Sequence, residues 1–419
     1  MRVIQWAAVM ALCAGPVWAQ GPVTPPSAPG PTMKSLQELW DAVTQLQGDT
    51  ADLQDDLSAT REANALLLLL MAELVDVPWL IETVDSAGNV GRNSSLAFGP
   101  DGQPAISYFA VTGLSLKFAR FDGAAWNTET VDSDGSVGES SSLAFGPDGQ
   151  PAIAYFDVTN SDLKFARYDG AAWDIEIVDS VGDVGRQPSL VFAPDGQPAI
   201  AYRAATGGNL KYTRYDGAVW DIVTVDNDGD VGRHPSLAFG PDGQPVISHH
   251  AGGTLGDLKF SRFNGMTWTN VTLDSDGTVG EYNSLAFSPD GQPVISYYDR
   301  TNQDLKLVRY DGAVWTNEIV DSVGNVGFYT SLAFSPVGHP AISYFEFIPV
   351  FPPGPGGESI LKFTRYDGAT WTSESLANGG AGMSDTSLAF GPDGRPAISY
   401  YDDLNGNLKF VHKDVFISP

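Results

Sequence analysis

A unit that reads SLAFGPDGQPAIAYFD from Ser142 to Asp157, and runs on through LKFARYDGAAW to Trp173, returns seven times along the chain. Its leucines stand at Leu96, Leu143, Leu190, Leu237, Leu285, Leu332 and Leu388, which are 47, 47, 47, 48, 47 and 56 residues apart. Trp79, Trp126, Trp173, Trp220, Trp268, Trp315 and Trp371 keep the same spacings. A fixed period in the forties, made of strand-like segments and Gly/Pro turns, marks propeller blades, because each unit is a small sheet that buries its faces only against its neighbours. The expected fold is therefore all-β: a seven-bladed β-propeller over residues 79–415 with four antiparallel strands per blade.

The strands can be placed within the unit. SLAF is the first and PDG turns the chain; PAISY or a close variant is the second, LKFARY the third, and the fourth starts at the Trp, as in WDIEIVD. The second strand is apolar on both faces, as a strand packed between two neighbouring blades should be. The pairs Asp101-Gly102, Asp148-Gly149 and Asp195-Gly196 suit tight hairpins that need positive φ. Residues 79–84 read as a fourth strand with nothing before it, and residues 408–412 as a third strand with nothing after it. The N-terminal strand 79–84 should complete the blade begun at Ser387, closing the ring and leaving no raw edge at the seam. The tight connections, PDGQP and YDGAAW, fall on one face of the ring. The longer ones fall on the other, where binding residues usually sit. A nine-residue excess in the sixth blade, within residues 346–360, lies on that longer-loop face.

Before the repeats the chain changes character. Residues 1–19 read as a secretory signal peptide, with Arg2, an apolar run over 3–14 and Val17-Trp18-Ala19 at the cleavage position. The expected location is thus periplasmic, cell-surface or extracellular. The single cysteine, Cys13, lies in that segment, so cleavage after Ala19 leaves no thiol and no disulfide. Residues 20–32 are a Pro-rich linker. Over residues 33–77 a coiled-coil helix is expected: Leu36, Leu39, Val43, Leu46, Thr50, Leu53, Leu57, Thr60, Asn64, Leu67, Met71 and Leu74 fill successive a and d positions. This register predicts a homo-oligomer through residues 36–74, with Asn64 at an a position favouring a parallel dimer. Pro78 stops the helix.

Charge narrows the partners. The 419 residues carry 23 Lys+Arg against 51 Asp+Glu, a formal net charge of −28, which repels nucleic acid and anionic lipid. No apolar run approaches the roughly 18 residues of a membrane span.

Residues repeated in every blade serve the blade. The lysines of LKF (Lys117, Lys164, Lys211, Lys259, Lys306, Lys362 and Lys409) and the following arginines (Arg120, Arg167, Arg214, Arg262, Arg309 and Arg365) read as partners of the turn aspartates. The seven Trp read as packing between blades. Positions that differ between blades carry more information about a ligand. Just before SLAF stand Arg92-Asn93, Glu139-Ser140, Arg186-Gln187, Arg233-His234, Glu281-Tyr282, Phe328-Tyr329 and Ser384-Asp385. These polar and aromatic pairs should ring the mouth of the central channel, where they suit a sugar or a peptide. Convergence of Arg92, Arg186 and Arg233 there would favour an anionic sugar or a carboxylate, through forked hydrogen bonds.

The fourth-to-first loops DSDGSVGE, DNDGDVGR and DSDGTVGE place Asp132 and Asp134, Asp226 and Asp228, and Asp274 and Asp276 like the start of a calcium loop. The later ligands of such a loop are missing, and no other cofactor is implied. The five histidines form no HExxH spacing and there is no GxSxG, so no catalytic residue stands out. Carboxylates are plentiful enough for a glycosidase pair.

The repeat, with GxVG before SLAF and DG before the Trp, resembles repeats of secreted bacterial seven-bladed β-propellers. It is also similar to fungal-type fucose-binding lectin and sialidase-like propellers. Sialidases carry an SxDxGxxW box, and Tyr168 to Trp173 (YDGAAW) does not keep that spacing. Together with the varying positions and the lack of a catalytic motif, these features lead to the expectation of a secreted, non-catalytic protein that binds a glycan or protein ligand through the long-loop face. Its rivals are a sialidase-like glycoside-processing enzyme and a structural surface protein.

Overall fold

The computed structural model describes residues 78–253, 256–349, 357–380 and 385–413. The expected signal peptide, linker and coiled coil of residues 1–77 lie outside the described residues, as do Ser384 and part of the sixth-blade insertion.

Twenty-eight strands form seven four-stranded antiparallel sheets, one per repeat. In the first blade the sheet order follows the chain: Val90–Phe98, Pro104–Ala110, Ser115–Phe121 and Trp126–Asp132. The seventh blade is different. Ser387–Phe390, Pro396–Asp402 and Asn407–Lys413 are completed by Trp79–Asp85, which runs antiparallel to the last strand with Trp79 opposite Lys413 and Thr83 opposite Lys409. The ring closes as the unmatched ends of the sequence require.

The apolar second strands lie deepest; every residue of Pro104–Ala110 and Pro151–Asp157 is buried. The core is not inside the blades but between them. Leu116 and Phe118 of the first blade, for example, pack with Val137, Leu143, Ile153 and Tyr155 of the second. Six of the seven Trp lie against the aromatic third-strand residue of the preceding blade, with Trp173 at 5.2 Å from Phe118 and Trp220 at 5.2 Å from Phe165, both edge-on, while Trp371 packs with Leu307. The indole N–H of Trp173 donates to Glu129 at 2.9 Å.

Two sets of polar contacts stitch the blades together. Around the channel, the Ser of each SLAF-type segment accepts the backbone N–H of the next blade's leucine. Ser95, Ser142, Ser189, Ser236, Ser284, Ser331 and Ser387 do this in turn at 2.9–3.0 Å, a closed ring of seven hydrogen bonds. Further out, the aspartate ending a fourth strand reaches a Tyr and a Lys of the following blade. Asp179 accepts from Tyr202 at 2.7 Å and from Lys211 at 2.8 Å; Asp274 accepts from Tyr297 and Lys306, both at 2.7 Å. The repeated lysines therefore serve the seams rather than the PDG turns. In the first four blades those turns are held by the arginines, as in Arg120–Asp101 at 2.9 Å and Arg167–Asp148 at 2.8 Å, while Arg309 of the fifth pairs with Glu318 instead.

The two kinds of longer loop share one face. The Val137 N–H donates to the carbonyl of Leu114 in the preceding blade's second-to-third turn at 3.0 Å, and Val90 does the same to Gly406 across the closure at 2.9 Å. On this face the sixth blade extends its strands to Pro340–Pro349 and Gly357–Tyr366, ten residues each where the first blade has seven.

Candidate functional site

The GxVG-to-SLAF segment contains a bulge. In the first blade Arg92 lies opposite Phe109 and Ser95 opposite Ser107, so Asn93 and Ser94 together face one residue of the second strand. The extra residue takes a left-handed conformation, φ 52° at Asn93, and the same occurs at Ser140, Gln187, His234, Tyr282 and Tyr329, with φ between 49° and 55°. None is glycine, and such a conformation costs an L-residue about 1–2 kcal/mol. Strain held at one place in six blades marks a site where side-chain direction matters more than backbone comfort.

The bulge turns its own side chain into the channel. Asn93, Ser140, Gln187, His234, Tyr282, Tyr329 and, in the seventh blade, Asp385 line a cavity of about 440 Å³, with Glu139 beside them. They touch one another as well. The Gln187 side chain accepts the His234 backbone N–H at 3.0 Å through Oε1 and donates to His234 Nδ1 at 3.0 Å through Nε2, which leaves the imidazole proton on Nε2. Burial, with His250, Arg233 and Arg203 nearby, pushes His234 down to about 3, so the ring is neutral. The His234 ring lies 4.6 Å from that of Tyr282, which lies 4.2 Å from that of Tyr329. The Tyr282 and Tyr329 hydroxyls interact with one another, and burial raises both phenols. Across the blade 7–1 seam Asn93 Nδ2 donates to Asp385 Oδ2 at 2.7 Å. Protein surrounds Asp385 even though it faces the cavity. Burial pushes its carboxyl above the usual range, against the pull of Asn93 and with the help of Glu139.

Three expectations from the sequence need correction. Arg92, Arg186 and Arg233 do not converge on the channel. They precede the bulged residue and alternate to the outer side, where the loops hold them; Glu139, at the same position in the second blade, is the exception and stays in the cavity lining. Arg186 donates to both oxygens of Asp183 at 2.6 and 2.8 Å and lies 4.8 Å over the Phe156 ring. Arg233 donates to Asp230 at 2.5 Å, and Arg92 lies 3.8 Å from Asp403 and 5.2 Å over Tyr401. Glu281 is turned out for the same reason and accepts from Arg300 at 3.2 Å.

The aspartates of the calcium-like loops are the third case. Asp132 accepts from Tyr155 at 2.7 Å, Lys164 at 2.9 Å and the backbone N–H of Asp134 at 3.0 Å. Asp274 is held likewise by Tyr297, Lys306 and the N–H of Asp276. In the fourth blade the Tyr position is His249, and Asp226 pairs with Lys259 at 2.5 Å while its other oxygen accepts the N–H of Asp228. Among the described residues no group of three His, Cys, Asp or Glu is arranged to hold a metal ion.

Comparisons with known proteins reach the fold and stop there. No protein-family model matches the chain, and no curated protein sequence does. Solved structures do match. An ulvan lyase described as a new family of polysaccharide lyase is similar with a TM-score of 0.52 at 13% identity, covering 78% of this chain and 95% of that one. The leech intramolecular trans-sialidase matches with a TM-score of 0.40 at 17% identity, covering 79% and 70%. The intramolecular trans-sialidase of Ruminococcus gnavus matches with 0.41 at 14%, covering 79% and 95%. The chain is a seven-bladed propeller, and its likeness to the lyase extends over most of both chains.

What the sequence reading missed is the bulge itself. An equivalent pair was recognised in every blade, but which member of the pair enters the channel depends on one extra residue in the strand, which no periodicity records. The serine ring was legible in retrospect, since Ser precedes the anchor Leu in all seven repeats.

Proposed function

We propose that this protein is a secreted, non-catalytic binding protein whose propeller recognises a glycan through the channel mouth on its long-loop face. The observation that carries this reading is the contrast at the bulge. The backbone there is the same in six blades, while the side chains at this position, Asn93, Gln187, His234, Tyr282, Tyr329 and, in the seventh blade, Asp385, differ. A cavity of this size with hydrogen-bonding groups on one side and aromatic rings on the other suits a sugar, which presents hydroxyls at its edge and C–H groups on its faces. A sialidase-like activity would use arginines that here are held by Asp183 and Asp230 outside the cavity lining. Self-association through residues 36–74 would bring several mouths to one surface and raise avidity without new contacts.

A glycan array probed with the purified protein, beside its His234→Ala variant, tests the reading. Binding that the substitution abolishes while the far-ultraviolet spectrum stays unchanged is the expected result. Glycan binding unaffected by His234→Ala, or hydrolysis of the arrayed glycans, contradicts it.

A further inference from the structure

The arginines lie outside the cavity, and that changes the charge of the ligand it would take. The lining holds two carboxyl groups, Glu139 and Asp385, and no lysine or arginine. His234, the one lining group that could carry a positive charge, is held neutral by burial. The rings of His234, Tyr282 and Tyr329, in contact from one blade to the next, complete the lining and end beside Asp385. The chain as a whole carries a formal net charge of −28.

Carboxyl groups and π-rings that line one partly enclosed cavity make a seat for an organic cation. The carboxylates supply charge, the ring faces supply quadrupole attraction, and an anionic sugar would be repelled by both. We propose that the channel mouth recognises a glycan bearing free, protonated amino groups, a glucosamine-type sugar, through the carboxyls of Asp385 and Glu139 and the rings of Tyr282 and Tyr329. This rests on the glycan-binding reading and names the sugar class. The same hydroxyl and C–H chemistry that fits any sugar fits this one, with the ammonium as the discriminating group.

The surroundings of Asp385 agree with this seat. Asn93, Glu139 and the phenols of Tyr282 and Tyr329 are the polar groups that face it, and Arg186 lies beyond Glu139, drawn to Asp183. No fixed cation neutralises the carboxyl, so its charge is disfavoured until one arrives. A bound ammonium would supply that cation and release a proton from Asp385.

Calorimetric titration of the full chain with a glucosamine hexamer and with its fully N-acetylated counterpart, at a mildly acidic pH where the amine is charged, tests this. The two ligands share rings and linkage and differ in charge. The free-amine form should bind at least about tenfold tighter, a preference that added salt weakens. Asp385→Asn and Glu139→Gln should each lower the affinity for the free amine by about tenfold and so narrow its preference over the acetylated form, with melting temperatures confirming that both variants fold. Equal or tighter binding of the acetylated form, lost on His234→Ala, overturns the cation inference and leaves the glycan reading standing. Binding of a lysine-rich peptide but of neither sugar overturns both.

Discussion

The seams between blades and the mouth of the channel are built from the same repeat, yet they treat a buried carboxyl in opposite ways. At a seam, burial opposes the charge of Asp179, but hydrogen bonds from Lys211, Tyr202 and the Val181 N–H outweigh it and hold the carboxyl below its usual range. At the mouth, Asp385 has one amide partner and no cation, and burial raises it. The seam repeats its residues because every blade must pack on the next. The mouth repeats only its backbone. A carboxyl whose charge is satisfied stabilises the fold, and one whose charge is left wanting a partner is available to a ligand.

The comparison breaks most completely if the ring opens. Removing Trp79–Asp85 takes away the fourth strand of the seventh blade and exposes the edge of Asn407–Lys413. The expected outcome is loss of the cooperative melting transition, with aggregation visible by light scattering. Next in size is the seam itself. Asp179→Ala leaves Lys211 without a carboxylate and should cost about 3–5 kcal/mol in denaturant unfolding. Asp132→Ala should cost less, because Lys164 keeps Asp157 at 3.3 Å. Equal losses in the two variants would mean that the seam carboxylates do not act through their lysines.

Nature supplies one seam without the aspartate. Ala377 lies opposite Leu361, as Asp132 lies opposite Leu116, while Tyr400 and Lys409 occupy their usual places in the next blade. Lys409 turns to Thr83 at 2.7 Å instead. Ala377→Asp should restore the missing triad and stabilise by about 1 kcal/mol, read as a rise in the unfolding midpoint. A fall would show that the extended sixth-blade strands no longer align with the seam.

The smallest effect concerns pH. The folded pKa of Asp385 is raised, so its contribution to stability is fully present below the ordinary aspartate pKa and lost as pH rises through the raised value. For Asp179 the folded pKa is lowered, so its contribution is present above the ordinary pKa and lost as pH falls through the lowered one. Asp385→Asn should flatten the first part of the stability profile and leave the acid limb intact.

Much of the frame was legible in the sequence, because packing in a propeller is periodic. Leu96 and its six counterparts, the Trp set, the PDG turns and the unmatched terminal strands each had one sensible place, and the sheets occupy those places. The mouth was legible only to the level of a pair of positions. The sequence shows Arg186-Gln187 and Arg233-His234 side by side, but a left-handed residue at the bulge decides that Gln187 and His234 enter the channel and the arginines leave it. The loops of Asp132, Asp226 and Asp274 read like calcium loops in the sequence for a related reason. Their partners, such as Lys164 and Tyr155, lie 32 and 23 residues away and belong to the neighbouring blade.

The central claim is that the repeated residues hold the ring while the inserted bulge residues hold a ligand. The most direct test is thermal melting with and without a glycan that the parent binds, run on the parent, Asp179→Ala and the double variant Tyr282→Ala/Tyr329→Ala. Asp179→Ala should melt well below the parent yet still gain stability from the glycan, while the double variant should melt within a few degrees of the parent and gain none. A double variant that is still stabilised by the glycan, or that loses as much stability as Asp179→Ala, would contradict the division between frame and site.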